Sequence, residues 1–242
     1  MDDNPVARSD HSPGPQETGG PPPAHGVFHI KDCALIAVAT GKHASSLREL
    51  RDVLQVVEAD SIYYHFWGGR LRARFDEPEF QNEFAAWVNR GLHDGPAAER
   101  LGVIDPTACE TLEDLRTELI DVLEERLEES ESLSWARSPF PMNLLRSQIV
   151  VFDTHRRVAD PRDLAQAVEQ MSAGSIFYHL IDARRRTANG VDDLRNWLAG
   201  FGDTYQDLSQ AIADIDPFFS TLTEVRLELT EVLADHFARG QA

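Results

Sequence analysis

The chain is short of lysine, of cysteine and of long apolar runs, and each shortage excludes something. Of its 23 basic residues only Lys31 and Lys42 are lysines, and 41 acidic residues leave a formal net charge of −18. Such a surface repels phosphate backbones and anionic bilayers, so neither nucleic acid nor membrane is expected among its partners. Two cysteines, Cys33 and Cys109, provide neither a disulfide framework nor a CxxC metal knuckle and read as free buried thiols. No stretch approaches the roughly 18 consecutive apolar residues of a membrane span. The first residues, MDDNPVARSD, lack the basic start and apolar stretch of a secretory signal, which makes the cytoplasm the expected compartment. GxGxxG, Walker, GxSxG and HExxH patterns are all missing, and no cofactor is expected.

What is present is a chain of 242 residues, 42% hydrophobic, able to bury a substantial core. Residues 1–26, with SPGPQETGGPPP, carry too few apolar side chains to offset ordering entropy and read as a disordered tail. Beyond them the chain repeats itself. At an offset of 114, ALIAVATG (34–41) lies over QIVVFDTH (148–155), and LREL (47–50) over PRDL (161–164). The same offset sets SIYYHF (61–66) over SIFYHL (175–180), and Arg70 and Arg72 over Arg184 and Arg186. Near an offset of 110, Trp87 meets Trp197, Ile104-Asp105-Pro106 meets Ile215-Asp216-Pro217, and residues 111–123 meet 221–233. A collinear series of this kind indicates an internal duplication.

Helix signals recur in both copies. Ser46 and Glu49 make a capping box; Asp160 with Pro161 is the matching start. Thr111 and Thr221 open a final amphipathic helix, with Leu115, Leu119 and Leu123 in one copy and Val225, Leu229 and Leu233 in the other. The spacing around Phe84, Trp87 and Val88, and around Leu194, Trp197 and Leu198, predicts a third helix. SIYYHF is predicted as a helix capped by its serine, with Tyr64 and His65 on adjoining faces, at least one of them near solvent or an interface. Residues 34–38 and 148–152 read as short strands able to pair with each other. Residues 129–147 read as a connector that packs through Trp135 and Phe140. The expected fold is mainly α, α+β with minor strand content: two similar, pseudo-twofold-related helical units, residues 27–128 and 148–237, each beginning with a short strand-like segment and sharing one core, with 238–242 a tail.

Candidate chemistry clusters in the repeated phrases. His65 and His179 occupy equivalent places that a pseudo-twofold could bring together. The expected structural role is a histidine bonded to a backbone carbonyl and a tyrosine in the core; the alternative makes Tyr64, His65, Trp67, Tyr178 and His179 the lining of a ligand site. Just after each phrase come arginines, Arg70, Arg72 and Arg74, then Arg184, Arg185 and Arg186. Guanidinium groups grip phosphate or carboxylate through paired hydrogen bonds, which suits a small anionic metabolite. The competing expectation is pairing with nearby acids such as Asp76, Glu77, Asp182 and Asp193. His25, His29 and Cys33 have the spacing of helical metal ligands, but the second copy offers Asn143 and Ser147, so no metal is expected.

With FHIKDCALIAVATG, SIYYHFWGG, LGVIDP, SQIVVFDT, GSIFYHLIDARRR and FSTLTE in view, the chain resembles a prokaryotic family, the domain of unknown function numbered 5752, from about Val27 to Phe237. The resemblance implies no reaction, cofactor or catalytic residue. Three readings follow: a non-catalytic binding or regulatory protein for a small anionic ligand or a protein partner; an enzyme on an anionic, phosphosugar-like substrate with His65 or His179 as acid–base; and a structural module such as a homodimer. Because WGG (67–69) becomes IDA (181–183) in the second copy, a single pocket is expected to use the first copy's version.

Overall fold

The computed structural model describes residues 26–72, 79–129 and 135–239. The sequence-based expectation of a disordered tail falls, apart from Gly26, outside them, as do Arg74, Asp76 and Glu77. The fold is predominantly helical with one two-stranded sheet among the described residues.

β1 (Phe28–Ala44) and β2 (Met142–Val158) are 17 residues each and pair antiparallel. Both run well beyond the apolar segments 34–38 and 148–152, and Met142–Ser147 of the predicted connector belong to β2. At the middle Leu35 faces Ile149; the register slips once between Ile30 and Lys31 and once between Ala39 and His43. The slips coincide with left-handed backbone at Gly41 (φ 76°) and His155 (φ 59°), a conformation that one class of bulge uses. Thr40 Oγ1 donates to the Leu144 carbonyl and Thr154 Oγ1 to the Ile30 carbonyl, closing each irregularity.

The first helical set follows β1. α1 (Leu47–Leu54) is capped by Ser46, whose hydroxyl accepts from Glu49 N–H, while the Glu49 carboxylate accepts from Ser45 N–H. α2 (Ala59–Trp67) buries every residue from Ser61 to Trp67. It starts earlier than its serine suggests, because the Ser61 hydroxyl donates 2.7 Å to the Leu145 carbonyl and caps nothing. A 3-10 turn Gly68–Leu71 follows. α3 (Glu83–Trp87) continues through a π turn Val88–Leu92 to α4 (Gly95–Gly102) and α5 (Leu112–Glu129).

After β2 come α6 (Leu164–Glu169), α7 (Ala173–Ile176), a π segment Phe177–Asp182 and α8 (Ala183–Arg186), then α9 (Asp193–Ala199), α10 (Gln206–Ala213) and α11 (Leu222–Arg239). Both 18-residue helices, α5 and α11, open at the predicted threonines with a capping box: Thr111 and Asp114, then Thr221 and Glu224, exchange hydrogen bonds.

The halves pack crosswise. α2 lies on β2, α7 on β1, α1 against α5 and α6 against α11. Aromatic contacts cross the seam, with Trp67 and Phe218 rings 5.2 Å apart and Tyr63 and Phe177 6.4 Å apart, and the buried apolar residues form one cluster. Trp87 and Trp197 flank that cluster and donate their indole N–H to the carbonyls of Phe140 and Gly26, each just ahead of a strand. The expectation that the connector packs through Trp135 and Phe140 is corrected: their exposures are 82% and 73%.

Candidate functional site

A two-stranded ribbon leaves backbone groups unpaired along both edges. Here histidines cover them. His65, on α2, accepts at Nε2 from the Leu145 N–H of β2 (3.0 Å). His179, after α7, accepts at Nε2 from the Lys31 N–H of β1 (2.9 Å). An amide N–H can only donate, so the proton of each ring sits on Nδ1 and points at a carboxylate: Glu83 for His65 (2.7 Å) and Asp193 for His179 (2.8 Å). Neither nitrogen is left with a lone pair free to act as a base. Both rings are buried, as is Tyr64; of the two expected settings, solvent or an interface, His65 and Tyr64 take the interface between the halves. The backbone partner is an N–H where a carbonyl was expected. The histidines do not meet: Leu145 pairs with Ala39, eight residues along β1 from Lys31, roughly 26 Å at the strand rise.

Glu83 was missed by sequence reasoning, and Asp193 was named only as an acid for the arginines, not as a histidine partner. They stand 18 and 14 residues from their histidines, but both fall four residues before a tryptophan, Trp87 and Trp197, and that shared spacing was the available signal. Burial pushes the Asp193 carboxyl up, and hydrogen bonds from His179 and Arg186 outweigh it and hold the group below its ordinary value.

The arginines separate by what they hold. Arg70 donates to the carbonyls of Pro217 and Phe218 and lies over the Trp67 and Phe218 rings. The half-buried Arg184 keeps a buried Nε with no hydrogen bond among the described residues, and burial lowers its pKa. Arg185 bonds Asp182 (2.5 Å) and Asp60 (3.2 Å) and stacks 4.5 Å over the Tyr63 ring. Arg186 bonds Asp182 (2.8 Å), Asp193 (3.0 Å) and the Tyr178 carbonyl (2.8 Å). Asp182 is 1% exposed and also accepts from the Tyr63 hydroxyl. Local acids therefore hold Arg185 and Arg186. Arg72 differs: it donates to the Tyr64 hydroxyl, stays 3.9 Å from Glu83, and its side chain is 57% exposed.

At the other seam, where α2 and the following 3-10 turn approach β1 and α7, lies a cleft of about 430 Å³. Its walls are Asp32, Cys33, Ala34 and Leu35 of β1, Tyr64, Gly68, Leu71 and Arg72 on one side, and Ser172, Ala173 and Gly174 on the other. Of the sequence candidates, Tyr64 and Arg72 line it; Tyr178, His179, Arg184 and Arg186 do not, nor do His65, Trp67 and Arg70. The position 114 residues from each wall residue is informative. Gly174 answers to Asp60, Gly68 to Asp182, Leu71 to Arg185, and Phe177, behind the wall, to Tyr63. Every member of the Asp60–Arg185–Asp182–Tyr63 network thus has a counterpart without its polar group. Neither glycine has room for a side chain as packed. A Cβ on Gly174 would lie 2.1 Å from Asp32 Oδ1 and 2.4 Å from the Cys33 carbonyl, and one on Gly68 would lie 2.6 Å from the Tyr64 ring.

Burial, with Asp182 and Asp32 adding, pushes the Cys33 thiol up to about 12, and it donates to the Gly174 carbonyl. Cys109, half-buried, is likewise pushed up to about 12 by burial and by Glu118. His29 and Cys33 lie on a strand, where helical ligand spacing does not apply, and His25 is outside the described residues. No group of ligating side chains is poised for a metal among the described residues. No described helix is long and apolar enough to cross a membrane.

Comparison with known proteins gives a family and a fold. Residues 25–234 match the model of a family of unknown function, DUF5752. Among solved structures the chain is similar to OrfY from Thermoproteus tenax, with a TM-score of 0.76 and 24% identity over 86% of this chain and 94% of that one. At that identity the likeness is one of fold. No curated protein matches. The chain belongs to the DUF5752 family.

Proposed function

We propose that this DUF5752 member is a non-catalytic binding or regulatory protein, made of two duplicated units about a pseudo-twofold axis, that takes one small molecule in the cleft between α2 and β1. The observation that carries the reading is the asymmetry of the seams. One is filled by an ionic network around the buried Asp182; the other has glycines and a leucine at the corresponding positions and stands open.

Several matched features support the duplication. The strands are of equal length and start 114 residues apart, Leu35 pairs with the residue 114 positions on, and the bulges fall at Gly41 and His155. Each histidine crosses to the other unit's strand and bonds an acid of its own unit. Binding is favoured over turnover because both histidines spend both nitrogens and both thiols stay protonated. A clamp made by the whole arginine cluster is disfavoured because Arg185 and Arg186 already hold carboxylates and Arg70 holds carbonyls. A homodimer has no observation of its own in its favour.

A thermal-shift screen of chemically varied metabolites tests the proposal, since a ligand for the folded state raises Tm by mass action. Ala34→Trp places a large side chain at an exposed strand position on the cleft wall, where a tryptophan is well tolerated. The expected result is a ligand whose shift disappears in Ala34→Trp while the unliganded Tm is kept. A ligand that binds the variant equally well places the site elsewhere.

A further inference from the structure

Resting on that cleft, we infer its ligand class: a small zwitterion, an amino-carboxylate such as a free amino acid or short peptide, its ammonium at Asp32 and its carboxylate at Arg72. Two opposite charges face one small space. Asp32 Oδ1 accepts from the Cys33 N–H at 2.7 Å, and a carboxylate has further lone pairs for a ligand. Arg72 donates to Tyr64 from one nitrogen and stands 3.9 Å from Glu83 at the other, and its side chain, 57% exposed, keeps donors within reach of a ligand carboxylate. Glu83 itself is committed to His65 Nδ1.

The remaining wall carries no net charge: a protonated Cys33, the Ser172 hydroxyl that accepts from Ser175 N–H, and the apolar Leu35 and Leu71. A simple anion such as phosphate would meet Asp32 together with Arg72, and a simple amine would meet Arg72 together with Asp32. Only a molecule bearing both charges is matched at both ends. The volume of about 430 Å³ lies at the lower end of small-ligand sites, which run from roughly 300 to 1,000 Å³.

The test is a binding series by thermal shift and calorimetry on the full chain: glycine, 4-aminobutyrate and Gly-Gly, against phosphate, acetate and propylamine, each up to about 10 mM. The expected result is binding of at least one amino-carboxylate, weakened at least roughly tenfold in both Asp32→Asn and Arg72→Met and lost in Ala34→Trp. Asp32→Asn keeps the acceptor for Cys33 N–H and Arg72 is exposed, so unliganded Tm values near wild type show that the fold is intact. Phosphate or acetate binding that needs Arg72 but not Asp32 overturns the zwitterion and leaves the cleft standing. Failure of every amino-carboxylate overturns it as well; the cleft itself falls only if the wider metabolite screen finds nothing that Ala34→Trp abolishes.

Discussion

At the scale of single residues, the two histidines tie the ribbon to the elements packed beside it. Each is a strut between a strand amide and a carboxylate, and that arrangement depends on the carboxylate staying ionised. Asp193 has a folded-state pKa below its ordinary 3.8. A depressed value means its contribution is complete above 3.8 and is lost as pH falls through the folded-state value. Urea unfolding followed across acid pH is therefore expected to show stability dropping on that limb. Asp193→Asn should flatten the limb, and at neutral pH it should cost about 1–2 kcal/mol through the weakened bonds to His179 and Arg186. An acid limb unchanged by the substitution would show that the proton is taken up elsewhere.

At the scale of elements, the close approach of α7 to β1 rests on a missing side chain. Gly174→Ala would drive a methyl into the Cys33 carbonyl and the Asp32 carboxylate. Overpacking of this sort costs about 2 kcal/mol, and chemical denaturation should read it. Gly95→Ala, at a helix start with nothing within 4 Å, is the control and should be neutral or slightly stabilising. Caps and amphipathic spacing were legible here because they are local: Ser46 with Glu49 and Thr111 with Asp114 act within one turn. The true start of α2 was not legible, because Ser61 is drawn to Leu145 of the opposite half. The strand lengths were hidden for a similar reason. Gly41 and Lys42 are poor strand formers, and only the pairing on either side of the bulge makes them part of β1.

At the scale of the whole molecule, the crossing of α2 onto β2 and α7 onto β1 means that neither half completes its own core. Fragments 26–129 and 135–239 are expected to be largely unfolded alone by circular dichroism and to regain helical signal as a 1:1 complex when mixed. A half that folds cooperatively by itself would contradict the shared core. An isolated two-stranded ribbon is marginal in water, and here Ser61, His65 and His179 satisfy its edges from the flanking helices. Helices from both halves therefore stabilise one ribbon.

The sequence by itself determined the mainly helical class with minor strand content, the helix starts at α1, α5 and α11, and the series of matching phrases. These follow from short-range chemistry: capping, periodicity and turn residues act between near neighbours. It also set WGG (67–69) against IDA (181–183). Only the tertiary structure decided what that difference means. Whether an arginine is a clamp or a tie depends on which carboxylate lies within about 3 Å of it, and Asp60 meets Arg185 across 125 residues of chain. Likewise His65 is buried and bonded at both nitrogens because Leu145 and Glu83 arrive from distant elements. The phrases SIYYHF and SIFYHL thus supply one strut each to a ribbon, and the opening lies beside them, where Gly68 and Gly174 have no side chains.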